Sequence, residues 1–118
     1  MNILNTITTT KTLKGKSTMT AGNHYEITMT RNGKTIAFDY HDNIHNKSNK
    51  KDFLFALLSD ANAYECTRNA FDFMAEFGYT DTQKAKEIYS ACRMQRNKLH
   101  KLFTSEEVEK LQTIFENY

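Results

Sequence analysis

The sequence predicts an α+β fold: a small N-terminal antiparallel sheet of three or four strands, packed against a C-terminal bundle of about four helices. Three observations carry this. Arg31-Asn32-Gly33-Lys34 reads as a two-residue hairpin turn, because Asn and Gly both tolerate positive φ. Apolar residues alternate with period two on both sides of that turn. From Lys51 onward their spacing changes to three and four, the period of a helix.

A two-residue turn at Asn32-Gly33 fixes the hairpin register. Met29 then pairs with Ile36, Ile27 with Phe38 and Tyr25 with Tyr40, placing six apolar or aromatic side chains on one face. The other face carries Thr30 with Thr35, Thr28 with Ala37, and Glu26 with Asp39. That last pair repels itself and requires water or a base nearby. Upstream, Ile3, Ile7 and Leu13 share odd parity and suggest another strand, with a turn near Gly15 or Gly22. The threonines of the first twenty residues fit an exposed strand pair, since a branched Cβ favours extended backbone. A hairpin alone is marginal in water, so helices must cover the apolar face.

His41 to Lys50 is a polar crossover into the helical half. The first helix is expected at about 51–65, with Leu54, Leu57, Leu58, Ala61 and Tyr64 on one face. The second, about 69–77, presents Phe71, Met74 and Phe77 and ends at Gly78. The third starts after an N-cap at Thr80 or Asp81 and reaches Leu102. Its inner stripe is Ala85, Ile88, Tyr89, Cys92, Gln95 or Arg96, Leu99 and Leu102. Thr104-Ser105-Glu106-Glu107 is a capping box opening a fourth helix, which buries Val108, Leu111, Phe115 and Tyr118.

The 118 residues fit one domain, with 1–41 forming its sheet part and 51–118 its helical part. No apolar run approaches the ~20 residues of a membrane span, and residues 1–10 lack the pattern of a secretory signal, which points to the cytoplasm. Cys66 and Cys92 form no CxxC pair and read as two small thiols within helices. No nucleophile elbow, HExxH, P-loop or GxGxxG motif occurs, so neither an enzyme nor a cofactor is expected. His41 and His45 have a spacing that chelates metal on a helix, but here they straddle a strand end and a loop, and no metal is expected.

The formal charge of +2 hides a division along the chain. Residues 52–81 hold six acids against Arg68 alone. Residues 82–103 reverse this, with Lys84, Lys86, Arg93, Arg96, Lys98 and Lys101 against Glu87. The last segment is acidic again, with Glu106, Glu107, Glu109 and Glu116 against Lys110. Packing acidic, basic and acidic helices together would neutralise much of this charge internally. Otherwise the basic helix is a contact surface. Its candidate partner-binding residues are Lys86, Arg93, Arg96, Lys98 and Lys101.

The run Phe71-Asp72-Phe73-Met74-Ala75-Glu76-Phe77-Gly78-Tyr79, followed by Asp81, Lys84-Ala85 and Ile88-Tyr89-Ser90-Ala91-Cys92, resembles a pattern in small proteins of bacteriophages and mobile elements. The likeness covers roughly Tyr25 to Phe103. It departs at Gly78-Tyr79-Thr80-Asp81, where the family usually continues Gly-Tyr-Asp, and in a longer C-terminal helix. The resemblance implies a phage-encoded accessory protein acting in the bacterial host's cytoplasm. Such a protein would bind a host protein or ribonucleoprotein complex, as anti-CRISPR inhibitors bind a CRISPR effector. The alternative is a nucleic-acid-binding accessory protein that tracks phosphates with the basic helix 82–103.

Overall fold

The sheet is organised by its tightest turn. In the computed structural model, which describes residues 2–42 and 48–116, Asn32 (φ 52°) and Gly33 (φ 78°) both take the left-handed conformation that a type I′ turn needs. Strands β2 (Asn23–Arg31) and β3 (Lys34–His41) therefore pair in the predicted register, Ile27 opposite Phe38 and Met29 opposite Ile36. These four side chains are buried, and Tyr25 and Tyr40 pack half-buried at the margin of the same face. Asp39, set beside Glu26, finds its base in His24, whose Nε2 lies 2.9 Å from Asp39 Oδ1.

A third strand, β1 (Thr8–Lys16), pairs antiparallel with the other side of β2, giving the order β1-β2-β3. The shared parity of Ile3, Ile7 and Leu13 does not place them on one strand. Ile3–Thr6 is a short 3-10 turn capped by the Asn2 side chain, and of the three only Ile7 is buried. Leu13 sits opposite Tyr25 next to an irregularity in the pairing between Leu13 and Gly15, and it stays 60% exposed. Parity assigned its face correctly, but that part of the face is not covered. The β1–β2 connection is held by Ser17, whose Oγ accepts from the N–H groups of Met19 and Thr20, and by Thr20 Oγ1 donating to Asp42 O at 2.7 Å. A Cβ at Gly22 would collide with that same Asp42 carbonyl.

Four helices follow: α1 (Lys50–Glu65), α2 (Ala70–Phe77), α3 (Thr82–Leu102) and α4 (Ser105–Phe115). Each begins at a side chain that accepts from the free N–H groups of its first turn: Asn49, Asn69, Asp81 and Thr104. The capping box of Thr104 and Glu107 is present, and Gly78 (φ 73°) ends α2 in the left-handed conformation. One apolar cluster joins the sheet to α1, to the end of α3 and to α4 through Leu54, Leu57, Leu99, Leu102, Phe103 and Leu111. Tyr118, expected in that core, lies outside the described residues.

α2 turns differently from the expected face. Its buried residue is Phe73, while Phe71 and Phe77 are 61% and 45% exposed. Phe73 stacks on Tyr79 (centroids 5.8 Å apart), which Gly78 folds back over it, and meets Tyr89 of α3 edge-on at 5.6 Å. In a two-turn helix rich in Phe, these ring contacts rather than periodicity decide which side turns inward.

Arg31, the last residue of β2, is a buried charge, 8% exposed. The two-residue period that buries Ile27 and Met29 carries Arg31 to the core side too. Its Nε donates to Thr6 Oγ1 at 2.8 Å and Nη1 to Leu102 O at 3.0 Å. The guanidinium grips both Glu107 oxygens, at 3.0 and 2.5 Å, and lies 4.8 Å from the Phe103 ring centroid. The hydrogen bond from Arg31, reinforced by the Thr104 N–H, lowers the Glu107 carboxyl to about 2 from an ordinary 4.5.

Two outcomes test this account. Phe38→Ala should cost about 3–5 kcal/mol, the range for core aromatics, read as a lower denaturant midpoint at unchanged slope. Because folding depresses the Glu107 pKa, its contribution to stability is complete above about pH 4.5 and is lost as pH falls toward about 2. The stability difference between the parent chain and Glu107→Gln should shrink through that window, as followed by urea unfolding at successive pH values. A difference that stays constant from pH 6 to pH 2 would overturn the Arg31–Glu107 assignment.

Candidate partner-binding face

α3 is pinned from within by Ala85, Cys92, Leu99 and Leu102, which recur at helical spacing and are buried. Ile88, Tyr89, Gln95 and Arg96 flank that line and are half-buried. On the opposite side Lys86, Ser90, Arg93, Asn97 and Lys101 follow one another at steps of three and four and are all exposed. They form a ridge of hydrogen-bond donors about 22 Å long at 1.5 Å per residue. Lys86 Nζ lies 5.7 Å from the exposed ring of Phe71, and Lys101 Nζ donates to Thr35 O of β3 at 3.3 Å. Arg93 makes no ion pair among the described residues.

The five candidates do not form one patch. Lys86, Arg93 and Lys101 share the ridge. Arg96 turns inward instead, its Nε 2.6 Å from Glu65 Oε1, and ties α3 to α1. Lys98 lies on the other flank, in a shallow hollow with Asp39, Ala91, Met94 and Gln95. Internal neutralisation is correspondingly small. Among the described residues, Arg96–Glu65 is the one ion pair that α3 makes. Two of the three acids of α4 turn elsewhere, Glu107 to Arg31 and Glu106 to Lys110. Sequence reasoning missed Phe71 as a ridge neighbour, because its spacing read as core.

The remaining chemistry-bearing groups are dispersed. An open hollow of about 450 Å³ between α1 and α4 is lined by Phe55, Leu58, Ser59, Asn62, Gln112 and Phe115, none of which titrates near neutral pH. Cys92 is buried, and burial together with the nearby Asp60 carboxylate pushes its thiol up to about 11. Burial likewise raises the Asp60 carboxyl. His41 stacks on His24 (centroids 4.5 Å apart), and its Nδ1 lies 2.8 Å from Ser17 Oγ. His45 lies outside the described residues, and no group of three His, Cys, Asp or Glu side chains able to hold a metal occurs among the described ones. No helix there is long and apolar enough to cross a membrane.

Comparison with protein families, with curated proteins and with solved structures found no match to this chain.

The two thiols should separate in reactivity. Cys66 is exposed, whereas Cys92 is buried and holds its proton well above neutral pH. An aromatic disulfide reagent at pH 8 should titrate one thiol per native chain and two in denaturant. Two fast thiols in the native chain would show that Cys92 is not packed between α1 and α3.

Proposed function

We propose that this chain is a non-enzymatic binding protein whose partner docks on the α3 ridge. The observation that carries the reading is the composition of that ridge: Lys86, Ser90, Arg93, Asn97 and Lys101, every one a donor and every one exposed. No side-chain acid pairs with any of them among the described residues. A surface of this kind fits an acidic patch, and its charge acts on steering and register more than on raw affinity. Combined with the phage-like pattern around Phe71–Cys92, the partner is a host protein or ribonucleoprotein complex in the bacterial cytoplasm, and the action is inhibition of a defence complex such as a CRISPR effector.

A second reading rests on a separate observation. Phe71 offers an exposed ring beside Lys86, and a base stacking on such a ring next to cations is a common way to hold single-stranded nucleic acid. The two readings differ in their salt dependence. Phosphate neutralisation loses affinity steeply and linearly on a logarithmic salt scale. A protein partner loses association rate first and keeps most of its affinity.

The test is the double variant Lys86→Glu, Arg93→Glu. It spares Lys101, which also donates to the sheet at Thr35. Against the complex captured from host cells, association should slow on the order of tenfold at low salt, with the deficit shrinking as salt screens the charge. Circular dichroism and the unfolding midpoint should stay unchanged. Association at the parent rate at low salt would remove the ridge from the contact.

A further inference from the structure

The two edges of the sheet are treated differently. β3 runs beside α3, and Lys101 Nζ occupies the outward carbonyl of Thr35. β1 is the other edge, and no strand among the described residues pairs along its outer side. The hairpin register directs the odd-numbered backbone groups of β2 to β3 and the even-numbered ones to β1. The groups of Thr8, Thr10 and Thr12 are therefore spent on β2, while the N–H and C=O groups of Thr9, Lys11 and Leu13 point away from the sheet. None of these has a partner among the described residues. At the near end the outward carbonyl of Ile7 is already closed by Lys50 Nζ at 2.9 Å. At the far end the irregularity between Leu13 and Gly15 ends the regular ladder. What remains is an open window about 14 Å long at 3.4 Å per residue, with three donors and three acceptors in strand geometry.

The side chains around this window say what fits it. Leu13 is 60% exposed on the side of the sheet that elsewhere carries the core, next to the half-buried Tyr25. Lys11 lies opposite the fully buried Ile27, and its ammonium sits 4.6 Å from the centre of the Tyr25 ring. Lys14 and Lys16 continue the strand, and β1 contains no acid. An inward-facing lysine on an edge strand opposes pairing with a second copy. An antiparallel pair centred on Lys11 would set two lysines directly opposite each other, which is destabilising. A strand bearing a carboxylate at that place and an apolar residue beside Leu13 meets the opposite situation.

We propose that β1 accepts an added strand, and that its occupant is an extended acidic segment of another protein. Main-chain hydrogen bonds to Thr9, Lys11 and Leu13 supply affinity, and Lys11 with Leu13 supplies selectivity. This surface is separate from the α3 ridge and does not depend on the function proposed for that ridge.

The probe is an end-capped heptapeptide with glutamate at its centre, valine two residues to either side and threonine elsewhere, which puts a carboxylate opposite Lys11 and an apolar residue beside Leu13 on one face. It is titrated into the full chain while amide exchange is followed residue by residue. Its amides at Thr9, Lys11 and Leu13 should slow by at least about tenfold, while those of Thr10 and Thr12, already paired with β2, stay unchanged. Methylating alternate backbone nitrogens of the peptide should abolish the effect. Lys11→Glu should reverse the preference toward the same peptide with lysine at its centre, and Lys86→Glu, Arg93→Glu should leave it intact. Lys11→Pro, which removes only an outward N–H, should keep the fold and lose the peptide. No protection at millimolar peptide, or equal protection by the methylated peptide, overturns the proposal. Protection that grows with protein concentration alone overturns the assigned occupant and makes it a second copy.

Discussion

The Arg31 guanidinium is the polar tie between parts of the chain that otherwise meet through the apolar core. It sits where the last residue of β2, the N-terminal 3-10 turn, the end of α3 and the first turn of α4 converge, and it offers each a donor. Glu107 has two duties in return. The carboxylate that caps Thr104 N–H at the start of α4 is the same one that receives Arg31. Orienting α4 and closing the sheet are thus one event. Ion pairs of this depth gain little net energy, since desolvation offsets attraction, but breaking one by removing a partner costs about 3–5 kcal/mol. The pair acts mainly on geometry: the α3–α4 corner is only Phe103 and Thr104 long, and the Arg31 contacts to Leu102 O and Glu107 span it.

That corner fixes the end of α3, and other contacts fix the rest. Arg96–Glu65 holds the middle against α1, and the rings of Phe73, Tyr64 and Tyr89 hold the N-terminal half. A helix held at three points along its inner face displays its outer face without having to order it on binding, which lowers the entropic cost of association. The donor ridge is therefore a consequence of how α3 is packed. It also explains why Arg96 and Lys98 drop out of it, since both turn toward neighbouring elements.

Much of this was legible in the chain because local signals agreed with one another. Asn32-Gly33 set a register that every side chain of the hairpin satisfied, and the Thr104–Glu107 spacing marked a helix start that the structure shows. Legibility failed where one residue answers to two elements. Arg31 reads as the corner of a turn and Glu107 as half of a cap, and nothing local says that they meet 76 positions apart. The same period-two rule that placed Met29 inside also placed Arg31 inside, so the signal was present in the parity and was obscured by the residue's charge. Leu13 failed in the other direction: its face was right, but burial depends on whether a distant helix reaches that far. Phe71 and Phe73 failed because two helical turns cannot fix a phase.

Charge separation links the two open surfaces. The cations of β1 and of the α3 ridge lie on different elements from the acids of α2 and α4, and the molecule spans 43 × 34 × 27 Å. With a screening length of about 8 Å at physiological ionic strength, charges on well-separated surfaces act almost independently. A net charge of +2 then says little about what an approaching partner experiences. A partner near β1 or the ridge meets positive potential, and one near α4 meets mostly acid. Such a surface selects the orientation of an encounter before any contact forms, and it repels a second copy approaching edge to edge. The lysines that keep β1 from pairing with itself are therefore the same groups that make it selective for an acidic strand.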